Sequence, residues 1–392
     1  MNDIRRARLR LLLALALAVT LSQFFRSSLG VIAPELSRDL ALTPESLGFA
    51  NACFFIALGV VQVPVGILFD RVGVRRTYLG LTGVAVLGAL LHAFVETGAG
   101  LAAARFLMGV GCGASFMSVV MLGSRWFPPE RLATIISWVF ALSQLGVLLA
   151  TTPLALATES FGWRPVFAVT AVLTVAVGLV FAAFVRDEPP DAPPAPRAVR
   201  SGGDGALAGL RRVLRTPDIG YVLAMHSFAY AACNTVIGLW AGPYLADVHG
   251  LAPVARGNVL LAMVVAGASA TLAVLALLTA LKQPPLALAA ALLVLLALVS
   301  QYPVAIVAHA RSLFPAALAG RGVTTVNLAQ VIGAATLPFA TGIVVGAASG
   351  GGEPYPEIAY RLAFLAIALP LAGGLALYLR ARDAKPSRGG LA

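Results

Sequence analysis

Arg26 stands inside an apolar stretch running from about residue 9 to residue 34. A charge there is costly to bury and is a functional candidate by default. Ser22, Gln23 and Gly30, at i−4, i−3 and i+4, share its helix face. Small and polar neighbours suit the wall of a cavity. A guanidinium offers a planar fork of donors that matches a carboxylate or a phosphate. The competing reading is an arginine that bonds backbone carbonyls for structure alone. A second polar stripe comprises His226, Tyr230 and Cys233/Asn234, at i, i+4 and i+7/i+8 of another apolar stretch. It reads either as cavity lining or as a hydrogen-bonded helix contact. His226 could also take up a proton near neutral pH. Further polar faces occur at Ser115 and Ser118, at Ser137 and Gln144, and at Thr324, Asn327 and Gln330.

What is missing narrows the chemistry. No Asp or Glu occupies the middle of an apolar stretch; Glu35, Glu96 and Asp247 lie at ends. One deep cation with no deep anion favours a negatively charged or zwitterionic solute. The sequence has no phosphate-cradling loop, nucleophile elbow, paired catalytic carboxylates or metal-ligand spacing, so neither catalysis nor a cofactor is expected. Cys53, Cys112 and Cys233 read as small packing residues. Three rival readings stand beside the anion site. An apolar pocket of Phe24, Phe25, Trp138 and Trp240 would suit amphipathic drugs or metabolites, with Arg26 structural. His226, Met225 and Met263 could hold a metal. A sensor or an inactive relic is the third.

The elements that must position these residues are hydrophobic helices. Of the 392 residues, 59% are hydrophobic and 11% charged, against about 25% charged in a soluble domain. Such a chain belongs in lipid, where backbone groups must be paired within helices or closed barrels. The apolar runs are of span length and lack strand alternation, so they read as helices. The first half gives spans near 9–34, 47–69, 76–96, 99–124, 131–155 and 163–185. The second gives spans near 218–246, 256–280, 323–348 and 358–380. Between the halves, residues 186–217 form a Pro- and Gly-rich polar linker that buries too little to fold. The expected organisation is a bundle over 1–185, that linker, a second bundle over 218–383 and a tail over 384–392.

The net charge of +11 is not a nucleic-acid signature. Of 28 Lys and Arg, Arg26 and Arg105 lie within spans, and Arg38, Arg164, Arg256 and Arg361 fall on one side. All the others fall on the side that the positive-inside rule assigns to the cytoplasm, together with both termini. The basic, apolar N-terminus has no clear cleavage site and is read as a retained span. The Ala, Gly and Arg bias suits a high-GC bacterium and hence its inner membrane. Residues 284–314 must cross an even number of times, yet two full spans need about 40 residues. A shortened hairpin with a break near Ser300–Pro303, or a damaging deletion, is expected there.

Residues Gly66–Arg76, GILFDRVGVRR, lie between the second and third spans and resemble the signature loop of the major facilitator superfamily. The glycines, the Asp70–Arg71 pair and the Arg75–Arg76 pair carry the match. Arg105-Phe-Leu-Met-Gly109-Val-Gly111 resembles its arginine-and-glycine helix motif. The resemblance implies an all-α membrane fold, two pseudo-symmetric six-helix bundles around a central cavity, rocking to expose that cavity to each side. It implies gating roles for Asp70, Arg71, Arg75 and Arg76. Arg105 would either exchange partners during the cycle or snorkel outward. The second half departs from it, since Leu281-Lys-Gln-Pro-Pro285 lacks the Asp-Arg pair. Phe24-Phe-Arg26 with Pro34-Glu-Leu36 is similar to the organophosphate:phosphate antiporter branch and its organic-anion relatives. The arginine that this branch places in span 7 is absent, which leaves a carboxylate or another anion. The whole implies a monomeric secondary carrier of a small organic anion. Arg26 would be its anchor, completed by Gln23, Gln144, His226, Tyr230 and Asn234.

Overall fold

The computed structural model describes residues 2–189, 214–261, 319–350 and 355–380, and every element among them is helical. The predicted hairpin at 284–314, most of the linker, Met263 and the tail lie outside the described residues, as do the side chains of Cys233, Thr324 and Asn327. Among the described residues, eight helices are long and apolar enough to cross a membrane. The first half comprises α1 (Asn2–Leu40), α2 (Pro44–Arg71), α3 (Val74–Phe94), α4 (Gly98–Cys112), α5 (Ser115–Trp126), α6 (Pro129–Leu149), α7 (Thr152–Phe161) and α8 (Trp163–Phe184). The second comprises α9 (Ile219–Thr235), a π-turn (Val236–Trp240), α10 (Ala241–Asp247), a helical stretch at 253–261, α11 (Ala319–Ser349) and α12 (Glu357–Tyr378).

Local chemistry sets the ends. Thr43 accepts from the Ser46 N–H at 3.3 Å, and Pro44 opens α2 where a missing N–H costs nothing. Thr97 caps α4 in the same way, accepting from Gly100 at 3.1 Å. Gly73 at φ 95° and Gly162 at φ 79° take backbone conformations that side chains disfavour, and each lets one helix turn directly into the next. Three spans are broken rather than straight. Gly98–Trp126 and Thr134–Phe161 each form one apolar run with an interruption, at Gly113–Ala114 and at Ala150–Thr151. The seventh widens into the π-turn just before Pro243, whose ring cannot donate to the carbonyl four residues back. Helix α1 runs beyond the expected 9–34 at both ends, through Pro34, as one continuous element.

Within the first half α2 packs on α4, α3 on α4 and α8, and α1 on α6; within the second, α9, α11 and α12 pack together. The halves meet through α2 against α11, and through α1 against the π-turn and α10. Their cores are unequal at the two ends. One end, called basic here, gathers Arg71, Arg75, Arg76, Arg125 and Arg186 near the turn between α2 and α3. Its apolar cluster is built from first-half residues alone, including Leu15, Phe69, Tyr78, Trp126 and Phe181. The cluster toward the opposite end is continuous across both halves, joining Phe25, Ile32 and Phe54 to Leu239, Trp240, Val331 and Tyr360. Among the described residues the halves are therefore sealed by a shared core at the opposite end, whereas the cluster at the basic end is drawn from the first half. Leu87, Phe94, Phe161, Val172 and Leu369 form part of a broad exposed apolar perimeter. That surface would aggregate in water and is at home in lipid.

Candidate solute-binding site

The polar residues of the spans meet in pairs at mid-depth. Arg26 on α1 donates from Nη1 to the Tyr230 hydroxyl on α9 at 3.1 Å, joining the two halves. On its near side, Gln23 Nε2 donates to Gln144 Oε1 of α6 at 3.2 Å. On the far side, His226 Nε2 lies 3.0 Å from Gln330 Oε1 of α11. With that oxygen as acceptor, Nε2 carries the proton and Nδ1 is left as an acceptor. Arg26, Gln23, Gln144, Tyr230, Asn234 and Gln330 are all half-buried, whereas His226 is buried. Several atoms in this group are buried and unpartnered among the described residues: Arg26 Nε, His226 Nδ1 and Asn234 Nδ2.

This leaves an open recognition geometry. Tyr230 takes only Nη1, and Arg26 Nε is buried without a partner among the described residues; the Nε–Nη2 edge is the one that can grip a carboxylate through two parallel bonds. Having accepted from Arg26, the Tyr230 hydroxyl retains its own proton to donate. Unpaired buried donors cost about 1–3 kcal/mol each. A solute that accepts from Arg26, Tyr230 and Asn234 would remove that cost.

A second deep guanidinium lies beside the first. Arg105 on α4 is fully buried (0% exposed) and so does not snorkel. It donates from Nη1 to the Phe25 carbonyl at 2.6 Å and from Nη2 to Asn51 Oδ1 at 3.2 Å, and it stacks 4.6 Å over the Phe54 ring. A central arginine costs about 2.5–3.5 kcal/mol even on insertion scales. Charge-assisted bonds of this kind offset part of that cost.

The Major Facilitator Superfamily profile matches residues 15–300, well over half the chain. The chain belongs to this superfamily. A hexuronate transporter of Bacillus subtilis (strain 168) is 26% identical over 254 residues, 62% of this chain and 58% of that protein. The "Probable galactarate/D-glucarate transporter GudP" of Escherichia coli (strain K12) is 25% identical over 168 residues, 41% of this chain and 37% of that protein. The chain thus spans about half the length of the curated relatives it matches. A bacterial homolog of the human lysosomal transporter Spinster, solved in an inward-facing, unoccupied conformation, superposes with a TM-score of 0.74 at 16% identity. The match covers 98% of this chain and 99% of that one. At that identity the likeness establishes the major facilitator fold and nothing about cargo.

In this superfamily member the signature loop is only partly engaged. Asp70, Arg71 and Arg76 are exposed. Arg75 is tied within its own half: its N–H donates to Asp187 Oδ1 at 2.8 Å, and its Nε and Nη2 donate to the Ala182 carbonyl at 3.2 and 2.6 Å. Asp187 therefore sits over the N-terminus of α3, where the helix dipole favours an anion. Trp126 Nε1 donates to the Arg186 carbonyl at 3.1 Å and fastens the start of the linker nearby.

At the opposite end the halves are locked by charge. Arg256 in the stretch 253–261 is only 3% exposed and pairs with Glu35 of α1. Thr152 of α7 donates to Asn258 Oδ1 at 2.9 Å. A cleft of about 590 Å³ lies over this lock, lined by Glu35, Arg38, Asp247, Arg256 and Tyr355 among others. Burial raises the Asp247 carboxyl above its ordinary range, partly countered by hydrogen bonds from the Tyr360 hydroxyl and the Tyr355 N–H. Sequence reasoning missed Asn51, Asp187 and the Glu35–Arg256 pair. It placed Glu35 and Arg256 only as residues at span ends, with no signal to join positions 221 apart. Of the four aromatics of the rival pocket, Phe24, Phe25 and Trp240 share one apolar cluster and Trp138 stands apart. Phe25 and Trp240 are core residues, with Trp240 donating to Thr341 at 2.7 Å, while Trp138 is 65% exposed on the perimeter.

Proposed function

We propose that the chain is a secondary carrier that moves a small carboxylate-bearing solute across a bacterial inner membrane by alternating access. The carrying observation is Arg26: mid-span, half-buried, held from across the halves by Tyr230, with its Nε–Nη2 edge turned to no described side chain. Amide, phenol and imidazole groups surround it, which suits hydroxyls beside the carboxylate. The printed names of the relatives, hexuronate and galactarate/D-glucarate transporters, point the same way. Lysine and arginine asymmetry puts the basic end in the cytoplasm. On that orientation the described state opens inward, like the Spinster homolog it superposes on. Asp70, Arg71, Arg75 and Arg76 then gate the cytoplasmic side, and Glu35–Arg256 locks the outer one. For the amphipathic-exporter reading, Phe24, Phe25 and Trp240 share a cluster, but Phe25 and Trp240 are fully buried core side chains and Trp138 lies apart on the perimeter.

The test is thermal stabilisation of purified protein by sodium D-glucuronate, galactarate and tartrate, with glucuronamide as the uncharged control. Ligand binding to the folded state raises the unfolding temperature by mass action. At least one carboxylate is expected to stabilise the wild type and to lose that effect in Arg26→Ala, which should still insert and fold. Equal stabilisation of wild type and Arg26→Ala, or stabilisation by none of the carboxylates, would end the reading.

A further inference from the structure

We infer that Arg105 is a positioning residue for Arg26: its buried guanidinium clamps the Phe25–Arg26 peptide of α1 and so sets where the solute-binding fork points. The inference rests on the solute site proposed above and deepens it. The Phe25 carbonyl carbon is bonded to the Arg26 nitrogen, so a bond to that oxygen fixes the peptide plane from which Arg26 departs. The bond from Arg105 is short, at 2.6 Å, and charge-assisted. Ser28 Oγ donates to the same carbonyl at 3.3 Å. A hydroxyl bonding back into its own helix perturbs the local ladder, and Pro34 removes a donor further along α1. The Phe25 carbonyl thus carries two bonds beyond the helix ladder, and the one from Arg105 ties this part of α1 to a second helix.

Arg105 is in turn held at both arms and across its face, while its Nε has no partner among the described residues. Asn51 accepts from its second arm at 3.2 Å, and the Phe54 ring lies beneath it at 4.6 Å. One turn further along α4, Gly109 sits against the Phe54 carbonyl so closely that an added Cβ would fall 2.2 Å from the oxygen. Gly88 and Gly111 bring α3 onto α4 as tightly. Helix packing is therefore supplied by glycine contacts, without a buried charge. A flat, two-armed donor is what the arrangement uses, since Phe25 and Asn51 must be reached at once. A lysine ammonium keeps the charge but not that fork.

The experiment measures apparent affinity by thermal-shift titration with glucuronate, galactarate and tartrate, and with glucuronamide as the uncharged probe. Arg105→Lys and Arg105→Gln are each expected to weaken the stabilising carboxylate about tenfold. The position would be read as a lost fork rather than a lost charge if the two losses match. In an Arg26→Lys background, which keeps the charge but not the fork, Arg105→Lys should add no further loss, because residues acting through one another are not additive. A defect of folding alone would lower yield and would weaken the charged and uncharged probes alike. Asn51→Ala, which removes one acceptor and little volume, should cost about threefold and supplies the same cycle if Arg105 variants fail to insert. Wild-type affinity in Arg105→Lys, wild-type affinity in Asn51→Ala, or an undiminished further loss on the Arg26→Lys background would overturn the clamp and leave the Arg26 anchor standing. Failure of every carboxylate to stabilise the wild type would instead overturn the solute site and the clamp with it.

Discussion

Tyr230 decides how Arg26 presents itself. By accepting from Nη1 at 3.1 Å it holds one arm and leaves the opposite edge for a carboxylate. Tyr230→Phe keeps the ring and removes the acceptor. Losing one hydrogen bond to a charged group costs about 1.5–3 kcal/mol, so carboxylate affinity should fall at least tenfold while insertion and fold persist. Titration of the purified variant checks this, and unchanged affinity would show the bond to be incidental. Arg26, Gln23, Gln144, His226, Tyr230 and Asn234 could be picked out from sequence because polar side chains within apolar runs are few and each needs an account. The partners of Arg105 could not. One is the backbone carbonyl of Phe25, which no residue type announces, and the other is Asn51, 54 positions away.

At the scale of helices, α1 and the stretch 253–261 are tied by Glu35 and Arg256, with the arginine almost wholly buried. Glu35→Gln keeps the shape and an acceptor oxygen but removes the charge. Breaking a buried pair by neutralising one partner strands the other and is strongly unfavourable. The sealed end should therefore loosen. Val345 on α11 is fully buried in the core shared by the two halves, so it reports on this seal. With the native cysteines replaced, Val345→Cys should react with a water-soluble maleimide at least fivefold faster in the Glu35→Gln background. Equal rates would mean that the pair does not hold the gate. The helices themselves were legible as apolar runs, without the Thr43 and Thr97 caps that start two of them. Their breaks at Gly113–Ala114 and Ala150–Thr151 were not, because a run of hydropathy is blind to a change of direction within it.

For the whole molecule, the question is what makes the sealed end close so tightly. The answer is backbone against backbone. An added Cβ on Gly242 would lie 1.9 Å from the Gly30 carbonyl, on Gly48 2.6 Å from that of Pro338, and on Gly342 2.6 Å from that of Pro44. Gly30 is four residues before Pro34, so its carbonyl lacks the usual helical donor, and the bare face of Gly242 covers it. Membrane helices associate through such small-residue contacts because lipid offers no hydrophobic drive between them. The paired bundles could be expected from apolar run lengths, charge asymmetry and the signature loop. Which end closes could not, since the register of Gly30 against Gly242 exists only in the folded chain. Gly242→Val should therefore block closure of the sealed end without harming either bundle. Val345→Cys should label quickly in that variant whether or not solute is present, and exchange of labelled glucuronate, galactarate or tartrate in liposomes should fall to background. Slow labelling with intact exchange would show that the halves can seal without this contact, and the closed end would then have to be explained by the Glu35–Arg256 pair alone.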